Sequence, residues 1–403
     1  MAALHSFSAN LRNAMAEVAG DVGMEDRCWE LAQLNIKQGG AGIRAPDRHA
    51  AAAYLASAIA SRELCMSIDP AFDINDSAGS RLQSATDRFN EVILEAARAP
   101  LDEGNSAQKR LSGLIDAAAK DRLLRAPVAD TSFKAHVALC SLPTAGVWLT
   151  ARPAEDEREM HHSLFQIALK RRLRMRVFDR DTFCLSCGAC MDSFADHALQ
   201  CQCSGDRTVR HNRLRNQVCD TAAKAGLRPE KEKAGLLPQR PGNDGLPTVT
   251  DASRRRPADV WLPSGPTHVS EALDFACTSG LQADMMERVV LQAPVVFSEY
   301  ENFKRSYKNT DEMCEARGFK FTPMIAEAHS GAWSPAARAM FAFIAGKVAA
   351  ASSTHTSEEV ESLHFAQRLS ITLQRENARA IMRRSAEVVG GDCRSGGWED
   401  WVE

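Results

Sequence analysis

The 403-residue sequence has no apolar run approaching the roughly 20 residues a membrane-crossing helix needs, so membrane insertion is not expected. Its opening, MAALHSFSANLRNAMAEVAGD, lacks a basic segment followed by an apolar one, which argues against a secretory signal. An excess of one charge is also missing. The 49 Lys+Arg stand against 52 Asp+Glu, which excludes a uniformly basic nucleic-acid binder but not a locally basic one. Hydrophobic residues make up 44% and charged residues 25%, close to a globular average, so disorder along most of the chain is excluded too. The length exceeds one ordinary core and predicts two or three domains. Twelve cysteines without a secretory signal read as thiols or metal ligands, not as a disulfide scaffold.

Residues 1 to about 130 are rich in Ala, Leu and Arg and poor in aromatics and β-branched runs. Helical apolar spacing recurs in HAAAAYLASAIASRELC, SRLQSATDRFNEVILEAARA and AQKRLSGLIDAAAKDRLL, with Asp102–Asn105 as a break. GGAGIRAP, from Gly39 to Pro46, predicts a glycine-punctuated turn into a helix. The pattern breaks at Leu142–Gly146, and SLFQIALKRRLRMRVF predicts a helix leading into a cysteine cluster. From His211 the order becomes helix, strands, helix, strand, helices. HNRLRNQVCDTAAKAG is a helix ended by Gly226, and strands are expected at Pro257–Pro263, Val269–Thr278 and Phe319–Ala328. Between the last two runs an amphipathic stretch from Leu281 to about Arg317, broken at Pro294. SPAARAMFAFIAGKVAAA is an apolar helix. Thr356 with Glu359 makes a capping box for a final helix to about Val389, followed by a loose tail.

Cys184, Cys187, His197 and Cys201 are spaced C-x2-C-x9-H-x3-C. Two thiolates three residues apart grip a metal from one turn, and a His and Cys four apart reach the same point from one helical turn. The set is a closed Cys3His zinc site, with Cys190 and Cys203 as spare thiols. Buried free cysteines would also be compact, and a redox C-x2-C would leave the paired His and Cys unexplained. Ten Lys/Arg against five Asp lie between Lys170 and Arg215, around this cluster. Arg207, Arg210 and Arg213 are therefore candidate nucleic-acid contacts, against the bland alternative of a solvated helix face. His211, in the same run, could also be a zinc ligand, but a sufficient set exists without it.

Asp259 precedes one expected strand and Asp274 lies in the next, so a hairpin could bring both carboxylates to one place where they can hold Mg²⁺. Leu273 and Phe275 flank Asp274, an alternation that turns the acid away from the apolar face. Spacing alone favours surface strand carboxylates over a metal pair. Arg254, Arg255 and Arg256 add a phosphate-binding element. No Lys stands two residues after Asp274, where Ala276 is found. Trp148, Trp261 and Trp333 are read as packing residues, and Met285–Met286 as helix-interface residues.

The order C-x2-C, MDSFADHALQC, GDRTVRHNRLR, RRRPADVWLP, EALDFACTSGL resembles the C-terminal region of LINE-type retrotransposon polyproteins of the restriction-like endonuclease group. There a zinc knuckle precedes a nuclease of the PD-(D/E)XK class. The resemblance covers about residues 140 to 335, and GGAGIRAP with AAAAYLAS resembles the helical region after the polymerase core. No Tyr-x-Asp-Asp motif occurs, so reverse transcription is not expected of this chain. The resemblance implies a mixed fold: a helical region over 1–145, a basic helix and zinc knuckle over 146–210, an α/β restriction-endonuclease-like domain over 211–350, and a C-terminal helix and tail over 351–403. It implies a DNA endonuclease with structural Zn²⁺ and catalytic Mg²⁺ or Mn²⁺. Asp259 and Asp274 would bind the catalytic ion, although Ala258 interrupts the usual Pro-Asp. Lys304 would be the catalytic lysine displaced to the following helix, with Lys308 as its alternative and Glu230 as an extra acid. DNA is the implied partner, with element RNA as a further one, and the nucleus the implied location. The rival reading is a catalytically inactive zinc-knuckle nucleic-acid-binding protein derived from a retroelement, and a weaker one a zinc-stabilised scaffold.

Overall fold

The computed structural model describes residues 2–72, 79–98, 107–127, 129–153, 158–238, 257–351 and 357–384. Asp102–Asn105, Arg254, Arg255, Arg256, Thr356 and the tail lie outside the described residues. The fold is mixed α/β, dominated by helix, with two small sheets. Among the described residues no helix is long and apolar enough to cross a membrane.

The first part of the chain is helical: α1 (Ala2–Val18), α2 (Asp26–Gln33), α3 (Pro46–Ile68), α4 (Gly79–Val92), α5 (Gln108–Arg125) and α6 (Thr131–Cys140). Pro46 opens α3, where its missing N–H costs nothing. The Asp130 carboxylate accepts the Phe133 N–H at 2.7 Å and caps α6. Helices α3, α4 and α5 bury Leu55, Phe89, Leu111 and Ile115 among themselves.

Helix α7 (His162–Arg172) is shorter than its sequence suggests. The run SLFQIALKRRLRMRVF does not continue to Phe178, because Arg174 turns into the left-handed region at φ 53°. A two-stranded ribbon, β1 (Thr182–Phe183) and β2 (Cys190–Met191), and the short α8 (Asp196–Gln200) follow. Helix α9 (Asp206–Lys224) starts five residues earlier than His211, and Gly226 just beyond it has φ 73°.

The second sheet has the order β3 (Glu230–Lys231), β4 (Val260–Leu262), β5 (Glu271–Thr278), β6 (Lys320–Glu327). The first three are antiparallel neighbours, and β5 pairs parallel with β6. The amphipathic stretch joining β5 to β6 divides into α10 (Met286–Leu291), α11 (Val295–Ser306) and α12 (Thr310–Glu315), with Pro294 at the first break. Both sheet faces are covered. Leu273 and Phe275 face α9, α13 (Pro335–Ala351) and α14 (Glu358–Met382), beside Trp333 and Phe341. On the other face, Ile325 meets Val289, Val296 and Phe297 of α10 and α11 and Leu139 of α6.

Helix α14 connects these layers. Its Phe365, Leu369 and Leu373, four residues apart, pack on the sheet side. Ile371 reaches the cluster of α1, α2 and α7, and Ala378 and Ile381 reach the zinc-knuckle region. Its cap is Ser357, whose hydroxyl accepts the Val360 N–H, instead of the Thr356 box read from sequence. Trp148, Trp261 and Trp333 are all buried, as their packing reading expects.

Candidate functional site

The Cys3His cluster is built by local chain geometry. Gly188, at φ 71°, closes a turn in which Cys184 N–H donates to Ala189 O at 2.9 Å and Gly188 N–H to Cys184 O at 2.8 Å. This places Cys184 and Cys187 side by side. The Asp192 carboxylate accepts the backbone N–H groups of Phe194, Asp196 and His197 and starts α8, whose single turn carries His197 above Cys201. The four ligand atoms all lie within 4.8 Å of one another. Cys184 Sγ is 4.0 Å from Cys201 Sγ, and Cys187 Sγ is 3.2 Å from His197 Nε2. Tetrahedral Zn–S bonds separate sulfurs by about 3.8 Å, so the Cys3His set can hold a zinc ion with little movement. Burial alone would raise the Cys201 thiol, but hydrogen bonds from Arg384 and the Cys203 backbone bring it down to about 6, favouring the thiolate a metal needs. Cys190 and Cys203 are exposed and outside the set.

Arg384 anchors the knuckle to the rest of the chain. Its fully buried guanidinium pairs with Asp206, the first residue of α9, and donates to Cys203 O at 2.9 Å and Ser204 Oγ at 2.8 Å. Its own carbonyl accepts the Leu185 N–H at 3.2 Å.

Immediately beyond this junction lies a cleft of about 520 Å³. Its lining includes Gln202 and Arg207 from the junction and α9, His211 one turn further, Asp259, Asp274, and Tyr300 and Lys304 of α11. The β4–β5 register sets Asp259 beside Asp274: Val260 faces Leu273, and Asp259 N–H donates to Leu273 O at 2.9 Å. Ala258, which interrupts the Pro-Asp pair, is buried with Trp261 and Phe319, so the extra residue is absorbed by packing while Asp259 reaches the cleft. The Asp259 carboxylate accepts the Phe275 N–H at 2.6 Å and the His211 Nε2 proton at 3.0 Å.

Asp274 turns away from Leu273 and Phe275, as the alternation predicts, toward α11 instead of solvent. Lys304 Nζ stands 2.8 Å from its Oδ2, and each side chain is at most about a quarter exposed. Burial pushes the Asp274 carboxyl up; Lys304 pulls it back, and the neighbouring Asp259 charge adds to the rise. Burial works against the Lys304 ammonium, but Asp274 outweighs it and holds the ammonium above its ordinary range. Lys308, the alternative lysine, is not in the lining; its Nζ sits 5.1 Å from the Tyr307 ring centre. Glu230 is on exposed β3, bonded to Lys233 at 2.6 Å, and does not line the cleft.

The arginine run divides by burial. Arg207 is exposed at the cleft. Arg210 borders it, but its buried guanidinium is committed to Asn377 Oδ1 at 2.7 Å and Leu199 O at 3.3 Å, so it is a strut and not a phosphate contact. Arg213 pairs with the buried Glu376 of α14 at 3.3 Å. His211, which the Cys3His set does not need, pairs with Asp259, a partnership the sequence did not indicate. The hydrogen bond it donates to Asp259 is the main reason its imidazolium is favoured. Its partner is 48 residues away, and no local spacing announces the pair. Neither a protein-family model nor a curated protein matches the chain.

Proposed function

We propose that the cleft is the active site of a divalent-metal-dependent DNA endonuclease of the PD-(D/E)XK class, related to the C-terminal region of LINE-type retrotransposon polyproteins. The observation that carries this reading is the convergence of Asp259, Asp274 and Lys304 in one cleft, with the ammonium 2.8 Å from the second carboxylate. The proposed arrangement is a helical region, a zinc knuckle delivering α9 to the cleft, and a nuclease sheet backed by α13 and α14.

Two carboxylates whose charges oppose each other in a half-dry cleft form an oxygen donor set that a hard cation would relieve. Asp259 and Asp274 are the residues that would hold Mg²⁺ or Mn²⁺. When bound, such an ion supplies Lewis-acid activation of water and of the scissile phosphate. Lys304 orients the attacking water and offsets negative charge developing on phosphate. His211 and the Phe275 N–H fix the direction of the Asp259 carboxylate. Arg207, at the rim, is placed to meet a flanking phosphate. A chromosomal target would put the protein in the nucleus.

A second reading, an inactive nucleic-acid-binding protein, draws on a specific feature. Both carboxylates already have cationic partners in His211 and Lys304. Nicking of supercoiled plasmid by zinc-loaded protein with Mg²⁺ or Mn²⁺ separates the two. Wild type is expected to nick, and Asp274→Ala to lose at least about 100-fold in rate. Folded wild type that retards DNA but leaves the plasmid supercoiled would select the inactive reading.

A further inference from the structure

Helix α11 carries two side chains of the cleft, Tyr300 and Lys304, and a row of three aromatic rings runs along it to Tyr307, the residue just after its end. Tyr300, Phe303 and Tyr307 recur at one-turn spacing, with ring centres 5.8 Å apart for the first pair and 5.6 Å for the second. Tyr300 lines the cleft and packs at the edge of the α10–α11 core. Phe303 and Tyr307 lie outside the cleft lining and are 53% and 47% exposed. Single exposed aromatics are ordinary, but a connected row leading out of a cleft leaves apolar faces in water for a reason.

The charges beside the row narrow the occupant. Lys304 stands one turn from Tyr300, and the Lys308 ammonium is 5.1 Å from the Tyr307 ring centre. Lys308 and Asn309 are both left-handed, at φ 56° and 54°, so the chain reverses there and keeps this cation at the end of the row. Glu299 and Glu301 of α11 lie about 100° round the helix from Tyr300, and Glu299 is drawn off by Arg288. A stripe of rings with cations and without carboxylates repels a basic peptide and attracts an anion, and a row of rings leading out of the cleft favours an anion with flat faces over an acid-rich peptide. It fits nucleobases joined by phosphates.

We propose that Tyr300, Phe303 and Tyr307 form a stacking rail for the unpaired bases of a DNA strand passing through the cleft. This rests on the nuclease reading and deepens it. The substrate would be DNA with an unpaired stretch next to the cleaved phosphodiester, since paired bases cannot offer their faces to Phe303 and Tyr307. Lys308 would meet the backbone phosphate of the strand on the rail.

The test uses the full zinc-loaded chain with Ca²⁺, a duplex with a single-stranded DNA tail containing 2-aminopurine, the fully paired duplex, and the same duplex with an RNA tail. Stacking on the rail should quench the 2-aminopurine. The preference for tailed over paired DNA should fall about tenfold in Phe303→Ala and in Tyr307→Ala. Phe303→Trp, which keeps an aromatic face, should retain both signals and guards against misfolding as the cause. Equal affinity for tailed and paired DNA, with unquenched fluorescence, overturns the rail. Quenching and preference confined to the RNA tail overturn the assignment to DNA. Failure of the underlying reading looks different: wild type then leaves supercoiled plasmid uncut, whether or not it binds the DNA probes, and the rail loses its cleaved strand. If nicking depends on Asp274 while the probe stays unquenched, the nuclease stands and the rail alone fails.

Discussion

A methyl group at Gly40 would sit 2.0 Å from Leu34 O and 2.5 Å from Leu31 O, both backbone atoms that cannot move aside. Arg172 donates to Gly40 O at 3.0 Å, Ile36 O at 2.9 Å and Cys140 O at 3.1 Å, tying this turn to α6. Gly40→Ala should therefore cost on the order of 3 kcal/mol, read as a lower denaturant midpoint at unchanged slope. At the cleft the residue-scale expectation concerns rate. Lys304→Ala should slow nicking about as much as Asp274→Ala, whereas Lys308→Ala, outside the cleft lining, should leave it within a few-fold. The choice between those lysines was not legible in their neighbourhood FKRSYKN. It depends on the turn of α11 that faces β5.

At the scale of elements, the Cys3His cluster is built locally, and the four residues that come together were legible from spacing. All four fall within one turn, one short ribbon and one helical turn, so few long-range contacts are needed to assemble them. Metal analysis should find zinc in wild type, none in Cys184→Ser, and full retention in Cys190→Ser, whose thiol lies outside the set. The docking of that knuckle was not legible. Arg384 falls among the last residues of a basic-ended helix, a usual place for a solvated cation. Instead it is buried and holds Asp206, Cys203 and Ser204. Arg384→Ala leaves the Asp206 carboxylate with Arg383 and the Ser204 hydroxyl and should lower stability by about 3 kcal/mol. Because Gln202 and Arg207 follow directly on the knuckle and line the cleft, stripping zinc with a chelator should lower both the melting temperature and DNA affinity.

At the scale of the whole molecule, buried histidines govern the response to acid. Burial, assisted by Arg174, lowers the His136 imidazole to about 3, and burial lowers His49 to about 4. An unfolded chain protonates these rings near pH 6.5, so it binds more protons than the folded chain between that pH and the depressed values. Stability therefore falls as the pH drops through this window. His136 alone should remove about 2 kcal/mol between pH 7 and pH 5. His211, whose imidazolium is favoured by Asp259, works in the opposite sense: its contribution is complete below pH 6.5 and is lost as pH rises through its folded value. Urea titrations across pH 5–7 should show the loss, and His136→Asn should flatten it.

Local order along the chain was enough to specify the helical first region, the Cys3His cluster and the sequence of strands and helices around Asp259 and Asp274. Each depends on periodicity, capping or turn geometry within a few residues. Tertiary structure decided which cations serve the cleft and which serve the frame. Arg207 and Arg210 stand one turn apart on α9, yet the first faces the cleft and the second is locked to Asn377 of α14. His211 meets Asp259, and Lys304 meets Asp274, only because α9 and α11 come together beside β5. A charged side chain carries no mark in its neighbours of whether another element will bury it. That is set by helices distant in sequence, whose apolar faces close over the sheet and bring these groups along.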